Sequence, residues 1–400
     1  MHGYQLLSVT LLVVGLSSAS TRTARQPTDA VNSVHIRRVP HGGIQPEVIV
    51  DWNGVLHMVY FAGPPMGGNL YYVRSANGGD TFSMPIRVNS QDNSAIATGT
   101  IRGAQLAIGR EGRVHVGWNG SDAALPGGLP HPKTKRAGNP MLYARSTAAA
   151  TSFDPQRNLM TRTVMLDGGG TIAADHDGRV YVAWHANAQD GSDSEESRRV
   201  WIARSQADGV SFDQERPVWA EPTGACACCG LRMIAAPHGS IHLLYRSATQ
   251  VVNRDMYLLS STDHGLTFAG EQLHKWRIAT CPMSSMSFAA AGDRIVGAWE
   301  TDGQVYFDNV TARGRGPRAP LAPASSESRR QHPRVAVNRD GALLLAWTEG
   351  AAWARGGSLA WQMFSASGKP IGEVERAPGV PAWSFAAVAT AADGSFVVFH

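Results

Sequence analysis

Residues 171–184 read TIAADHDGRVYVAW: a strand of small and apolar residues, an Asp-Gly turn, and a second strand ending on tryptophan. Two runs joined by such a turn form a β-hairpin, because Gly accepts the positive φ that the tight connection needs. The pattern recurs at 47–60 (EVIVDWNGVLHMVY), 104–118 (AQLAIGREGRVHVGW) and 232–245 (RMIAAPHGSIHLLY). It returns at 287–299 (SFAAAGDRIVGAW), 334–347 (RVAVNRDGALLLAW) and 384–399 (SFAAVATAADGSFVVF). The closing aromatics Tyr60, Trp118, Trp184, Tyr245, Trp299, Trp347 and Phe399 stand 48 to 66 residues apart. A repeat of that length, with four strands per unit, is the mark of a propeller blade. The expected fold is an all-β propeller of seven blades, or six if one hairpin is irregular or shares a blade. Residues 34–39 are expected to return as a strand beside 384–399 and close the ring.

A second element follows four of the hairpins: LYYVRSANGGDTF at 70–82, LYARSTAAATSF at 142–153, WIARSQADGVSF at 201–212 and YLLSSTDHGLTF at 257–268. Each is a strand that enters a tight loop on Ser and leaves it on Thr or Ser before Phe. The Asp or Asn within the loop can cap its own backbone amides, and Gly supplies positive φ. These loops resemble the Asp-box (BNR) repeat of the sialidase-like propellers, Ser-x-Asp-x-Gly-x-Thr-Phe/Trp. Ser261 to Phe268 matches in full, Asn77 replaces the Asp in the first box, and the boxes at 146–153 and 205–212 are degenerate. The resemblance spans 34–400 and implies a single sialidase-like domain.

Composition bounds the function. Of 400 residues, 43% are hydrophobic and 17% charged, which describes a folding chain rather than a disordered one. No internal apolar run approaches the ~18 residues of a membrane span. The net charge is +4, the basic residues are nearly all arginine, and no nucleic-acid-binding motif is present. Nucleic acid is therefore not an expected partner; a glycan or another small ligand is, with the chain a monomer. Leu6 to Leu16 is an apolar stretch followed by Ser18-Ala19-Ser20, as in a secretory signal. The reading is a signal peptide at 1–20, a leader at 21–33, and a secreted or periplasmic protein.

In a four-stranded blade, the loops between blades and those joining the second and third strands share one face. The box loops decorate the other. All four cysteines fall on two inter-blade loops, Cys226-Ala227-Cys228-Cys229 and Cys281-Pro282-Met283, which precede adjacent inner strands and can converge. Export and the even count suit disulfides, through a Cys228–Cys229 bridge or one of that pair to Cys281. The same sulfurs, with Met283, Met286 or a nearby histidine completing the shell, could instead bind copper or zinc. These two loops and the NRDMYLLSSTDHG run resemble an arrangement in exported bacterial sialidase-like proteins.

The resemblance to sialidases implies an arginine cluster that grips a carboxylate and acidic groups for hydrolysis. Arg38-Val39-Pro40 is similar to the family's Arg-Ile-Pro, and Arg246, Arg254 and Arg334 could supply further arginines. Asp255 and Glu300 are the candidate carboxylates, while no tyrosine clearly occupies the nucleophile position. Two functions follow. The chain is either an exported propeller that binds a ligand or soft metal at its channel mouth, or an exo-sialidase acting on sialylated glycans.

Overall fold

In the computed structural model, the described residues are 33–311, 319–325 and 328–400, with Met1 and Gly3. Apart from Met1, Gly3 and Ser33, the expected signal and leader lie outside them. The described strands form seven sheets around one axis. Blade 1 comprises Ile44–Val50, Leu56–Ala62, Asn69–Ser75 and Ile86–Arg87. Blade 2 comprises Gln105–Ile108, Val114–Asn119, Met141–Arg145 and Arg157–Asn158. Blade 3 holds Thr171–Ala174, Val180–Ala188, Arg199–Ser205 and Arg216–Pro217, with Thr163–Val164 paired to the far end of its long second strand. Blade 4 holds Arg232–Ala235, Ile241–Arg246, Met256–Ser261 and Ala269–His274.

Blade 5 holds Met286–Ala291, Arg294–Thr301 and Gln304–Asn309, and Leu321 bridges Phe307 in the outer position. Blade 6 holds Arg330–Val337, Leu343–Glu349, Gly357–Phe364 and Pro370–Val380. Blade 7 is built from both ends of the chain. Ala387–Thr390 pairs with Phe396–Phe399, and Val34–Arg37 lies parallel to the latter, with Val34 opposite Phe396 and Arg37 opposite Phe399. The blade count is seven, not six.

The local chemistry of the repeat explains its shape. After the inner strand, Asp51, Asp175 and Asn338 occupy the same turn position, and each side chain accepts hydrogen bonds from the amides two and four residues on. In the full Asp-box, Asp263 accepts from the Thr267 amide and hydroxyl at 2.9 and 2.6 Å, and Ser261 Oγ accepts from the Gly265 amide. Asn77 takes the same part in the first box, accepting from the Thr81 amide at 3.0 Å.

Seven apolar clusters hold the ring, one at each blade–blade interface. The closing aromatics lie in these layers, and Trp118, Trp184, Trp299 and Trp347 are fully buried. Their ring nitrogens remain hydrogen-bonded, as a buried indole N–H requires.

Candidate functional site: a channel closed at one end

The seven inner strands enclose a central cavity of about 930 Å³. Its chemistry follows from one repeat position. The residues entering the inner strands are Glu47, Gln105, Thr171, Arg232, Ser287, Arg334 and Ala387, and side chains two apart share a face. That face therefore continues as Ile49, Ala107, Ala173, Ile234, Ala289, Ala336 and Ala389. The channel wall is thus a sleeve of small apolar side chains, with a polar ring at the end where the strands begin.

Three charges meet in that ring. Arg232 of blade 4 reaches across to Glu47 of blade 1, its two guanidinium nitrogens each 2.9 Å from a carboxylate oxygen. It also donates to Gln105 Oε1. Arg334 Nη1 lies 3.6 Å from Glu47 Oε2, while its Nε donates to the Ala386 carbonyl and its guanidinium stacks on Phe385. Burial, then the nearby Arg232 charge, pushes the Arg334 pKa down to about 9. The cluster carries two positive charges against one negative.

The backbone aims two of these side chains. Glu47 and Arg334 each follow a bulge of the form X-Pro, Gln45-Pro46 and His332-Pro333, where the ladder register shifts. Gln45 and His332 have φ of +51° and +55°, a left-handed conformation that costs a non-glycine residue energy. Bulges of this kind redirect the next side chain. Their own side chains tie neighbouring loops. Gln45 donates to the carbonyls of Ala97 and Trp383, and His332 Nδ1 is 3.3 Å from Ser285 Oγ.

The inter-blade loops meet over this end. The Gly168 amide donates to the Ala227 carbonyl, and the Gly230 amide to that of Ser284. Across the axis, a Cβ built on Gly99 would stand 2.5 Å from Arg102 Nη1, 3.0 Å from Met283 Cε and 3.3 Å from Trp353, and its φ of +85° favours glycine. At the opposite end, the residues leaving the inner strands, such as Val50, Ile108, Ala174 and Ala235, are only partly buried. The cavity therefore opens on the box side, opposite to the inter-blade loops that carry the cysteines, and ends blind at Glu47, Arg232 and Arg334.

The six expected catalytic residues do not gather at one point. Arg334 lies in the channel. Arg246 is wholly buried between blades 4 and 5, where it donates to the carbonyls of Arg254 and Glu300 and to Ser284 Oγ and stacks on Trp276. Burial lowers its pKa to about 10. Arg254 pairs with Glu195 at 2.5 Å. Asp255 accepts from the Trp276 amide and from Gln272. Arg38 donates to the Gly379 carbonyl beside the outer strand of blade 6.

Glu300 is buried in the roof, where it accepts from the His332 amide, and desolvation raises its pKa to about 8. Sequence reasoning missed Glu47 and Arg232. The signal was present: both open an inner strand at the position Arg334 occupies, and Glu47 shares its preceding X-Pro.

The four cysteines do meet in the roof. Cys228 pairs with Cys281, Cα to Cα 6.2 Å, and Cys226 with Cys229 at 5.5 Å. The sulfurs of Cys226, Cys228 and Cys229 lie within 4.8 Å of one another. Met283 sits beside them on the loop, half-buried.

No protein-family model and no curated protein matches the sequence. Solved structures share the architecture at low identity. A protein of unknown function from Dyadobacter fermentans DSM 18053 matches at 15% identity over 84% of this chain and 98% of that one, TM-score 0.53. The Penicillium chrysogenum alpha-L-arabinanase, solved with arabinobiose, matches at 14% over 84% and 97%, TM-score 0.54. The Trypanosoma rangeli sialidase, solved with the inhibitor DANA, matches at 11% over 81% of this chain but only 56% of its own, TM-score 0.51. The chain is a seven-bladed β-propeller similar in fold to a sialidase and an arabinanase.

Proposed function

We propose that this is an exported binding propeller that takes a small amphiphilic anion into its channel, apolar body along the alanine-rich sleeve and anionic head against Arg232 and Arg334. The observation that carries the reading is the blind end, where two buried guanidinium groups share one carboxylate within an apolar wall. A volume of about 930 Å³ suits a small molecule. Hydrolysis of a glycoside by the usual route needs two carboxyl groups flanking the bond. Among the described residues lining the cavity, Glu47 is the sole carboxylate, and it is bound to arginine. A retaining sialidase replaces one of that pair by a tyrosine nucleophile, and no tyrosine is among the described residues lining the cavity. Two disulfides suit an oxidising compartment, in agreement with the export signal read at 1–20.

Calorimetric titration with decanoate, beside N-acetylneuraminate as a polar anion, tests the reading. Decanoate should bind wild type and lose at least tenfold in affinity in Arg334→Ala, with no turnover of a fluorogenic sialoside. Absence of decanoate binding, or sialoside hydrolysis, would overturn it.

A further inference from the structure

The sulfur cluster in the roof has a gradient of exposure. Cys281 is exposed, Cys228 half-buried, and Cys226 and Cys229 are buried at 0% and 1%. The outer disulfide, Cys228–Cys281, therefore faces solvent, while the inner one, Cys226–Cys229, is shielded from it. The two meet where Cys226 Sγ lies 3.6 Å from Cys228 Sγ. Cys229, at the far end, has a hydrogen-bond donor waiting. Ser284 Oγ lies 3.5 Å from Cys229 Sγ and itself accepts from Arg246 Nε at 2.7 Å. A buried guanidinium thus polarises the hydroxyl that faces this sulfur, and such a donor favours a thiolate there.

We propose that the four cysteines form a thiol–disulfide relay that carries reduction by an external dithiol from the exposed disulfide to the buried one. Disulfides exchange by in-line attack of a thiolate on sulfur, and a stabilised leaving thiolate departs faster. One thiolate of the dithiol attacks Cys281 Sγ, the Cys228–Cys281 bond breaks, and Cys228 leaves as thiolate. The second thiol of the reductant, giving up its proton, closes onto its own sulfur in the mixed disulfide. Cys281 is released and takes up a proton, and the reductant departs as a cyclic disulfide. The Cys228 thiolate, released from Cys281 and free to swing onto the Cys226–Cys229 axis, then attacks Cys226 Sγ, the Cys226–Cys229 bond breaks, and Cys229 leaves as a thiolate facing Ser284 Oγ. Two electrons enter, one dithiol is oxidised, and the protein retains one disulfide, now Cys226–Cys228. Arg246 serves in this relay as a positioning residue, acting on sulfur through Ser284.

The test uses the intact folded chain with one equivalent of dithiothreitol, acid quenching at intervals, alkylation and peptide mapping. The expected pattern is label on Cys281 and Cys229, with Cys226 and Cys228 bridged. Label on Cys281 and Cys228 with Cys226–Cys229 intact would overturn the relay, as would four alkylated cysteines before any reductant is added. In Cys228→Ser, reduction of the inner disulfide should slow at least tenfold, and equal rates would contradict the proposal. Ser284→Ala should slow the appearance of label on Cys229 while leaving that on Cys281 unchanged.

Discussion

Glu300 is held in the roof as a carboxyl that prefers its proton, because burial outweighs the His332 amide and the Arg246 charge that favour ionisation. With a folded pKa of about 8 above an ordinary 4.5, its stabilising contribution is complete below pH 4.5 and is lost as pH rises through 8. The buried histidines act in the opposite sense. Burial lowers His185 to about 4 and His332 to about 3, so their contribution is complete above 6.5 and is lost as pH falls. Between pH 6.5 and 8, Glu300 is therefore isolated from both. Wild type should lose roughly 1 kcal/mol of stability per pH unit in that window relative to Glu300→Gln. Denaturant melts of the two proteins at pH 6.5, 7.25 and 8 check this, and parallel profiles would show that Glu300 ionises freely.

At the scale of the element, the box turn and the bulge divide stability from function. Asp263 accepts from Thr267, Leu266 and Ser261, and those bonds hold its pKa well below the usual carboxylate range. Asp263→Ala removes a cap, which costs about 1 kcal/mol by analogy with helix caps. Melting should report that loss while decanoate affinity stays within twofold; a lost affinity with unchanged melting would make the box part of the channel mouth. The box was legible in the sequence because its chemistry is local: Ser, Asp, Gly and Thr at fixed offsets satisfy one turn by themselves. The channel charges were harder to read. Glu47 and Arg232 meet from opposite blades, 185 residues apart in sequence, and nothing near either names its partner. An arginine's type is visible in sequence, but the partners that hold it are not: the Arg254 and Glu300 carbonyls for Arg246, and the Glu195 carboxylate for Arg254.

For the whole molecule, ring closure rests on the parallel pairing of Val34–Arg37 with Phe396–Phe399. The periodic hairpins made the seven blades legible, and the leftover apolar strand at 34–39 made the closure so. Which end of the channel opens was not legible, since it depends on loops from blades 1, 4, 5 and 6 meeting over the axis at Gly99, Met283 and Trp353. A chain beginning at Val39 should be far less stable than one beginning at Ser33, with a lower denaturant midpoint, because blade 7 loses a strand and exposes the flank of Phe396–Phe399. Equal midpoints would show that the ring closes without it.

The proposed anion site turns on Glu47, the carboxylate that pairs with both Arg232 and Arg334. A ligand's anionic head must compete with it, so removing its charge has an effect of definite sign. Calorimetric titration of Glu47→Gln with decanoate should show affinity at least tenfold tighter than wild type, about 1.4 kcal/mol. Unchanged or weaker binding, with the variant folded by its melting curve, would contradict the assignment of this blind end as the anion site.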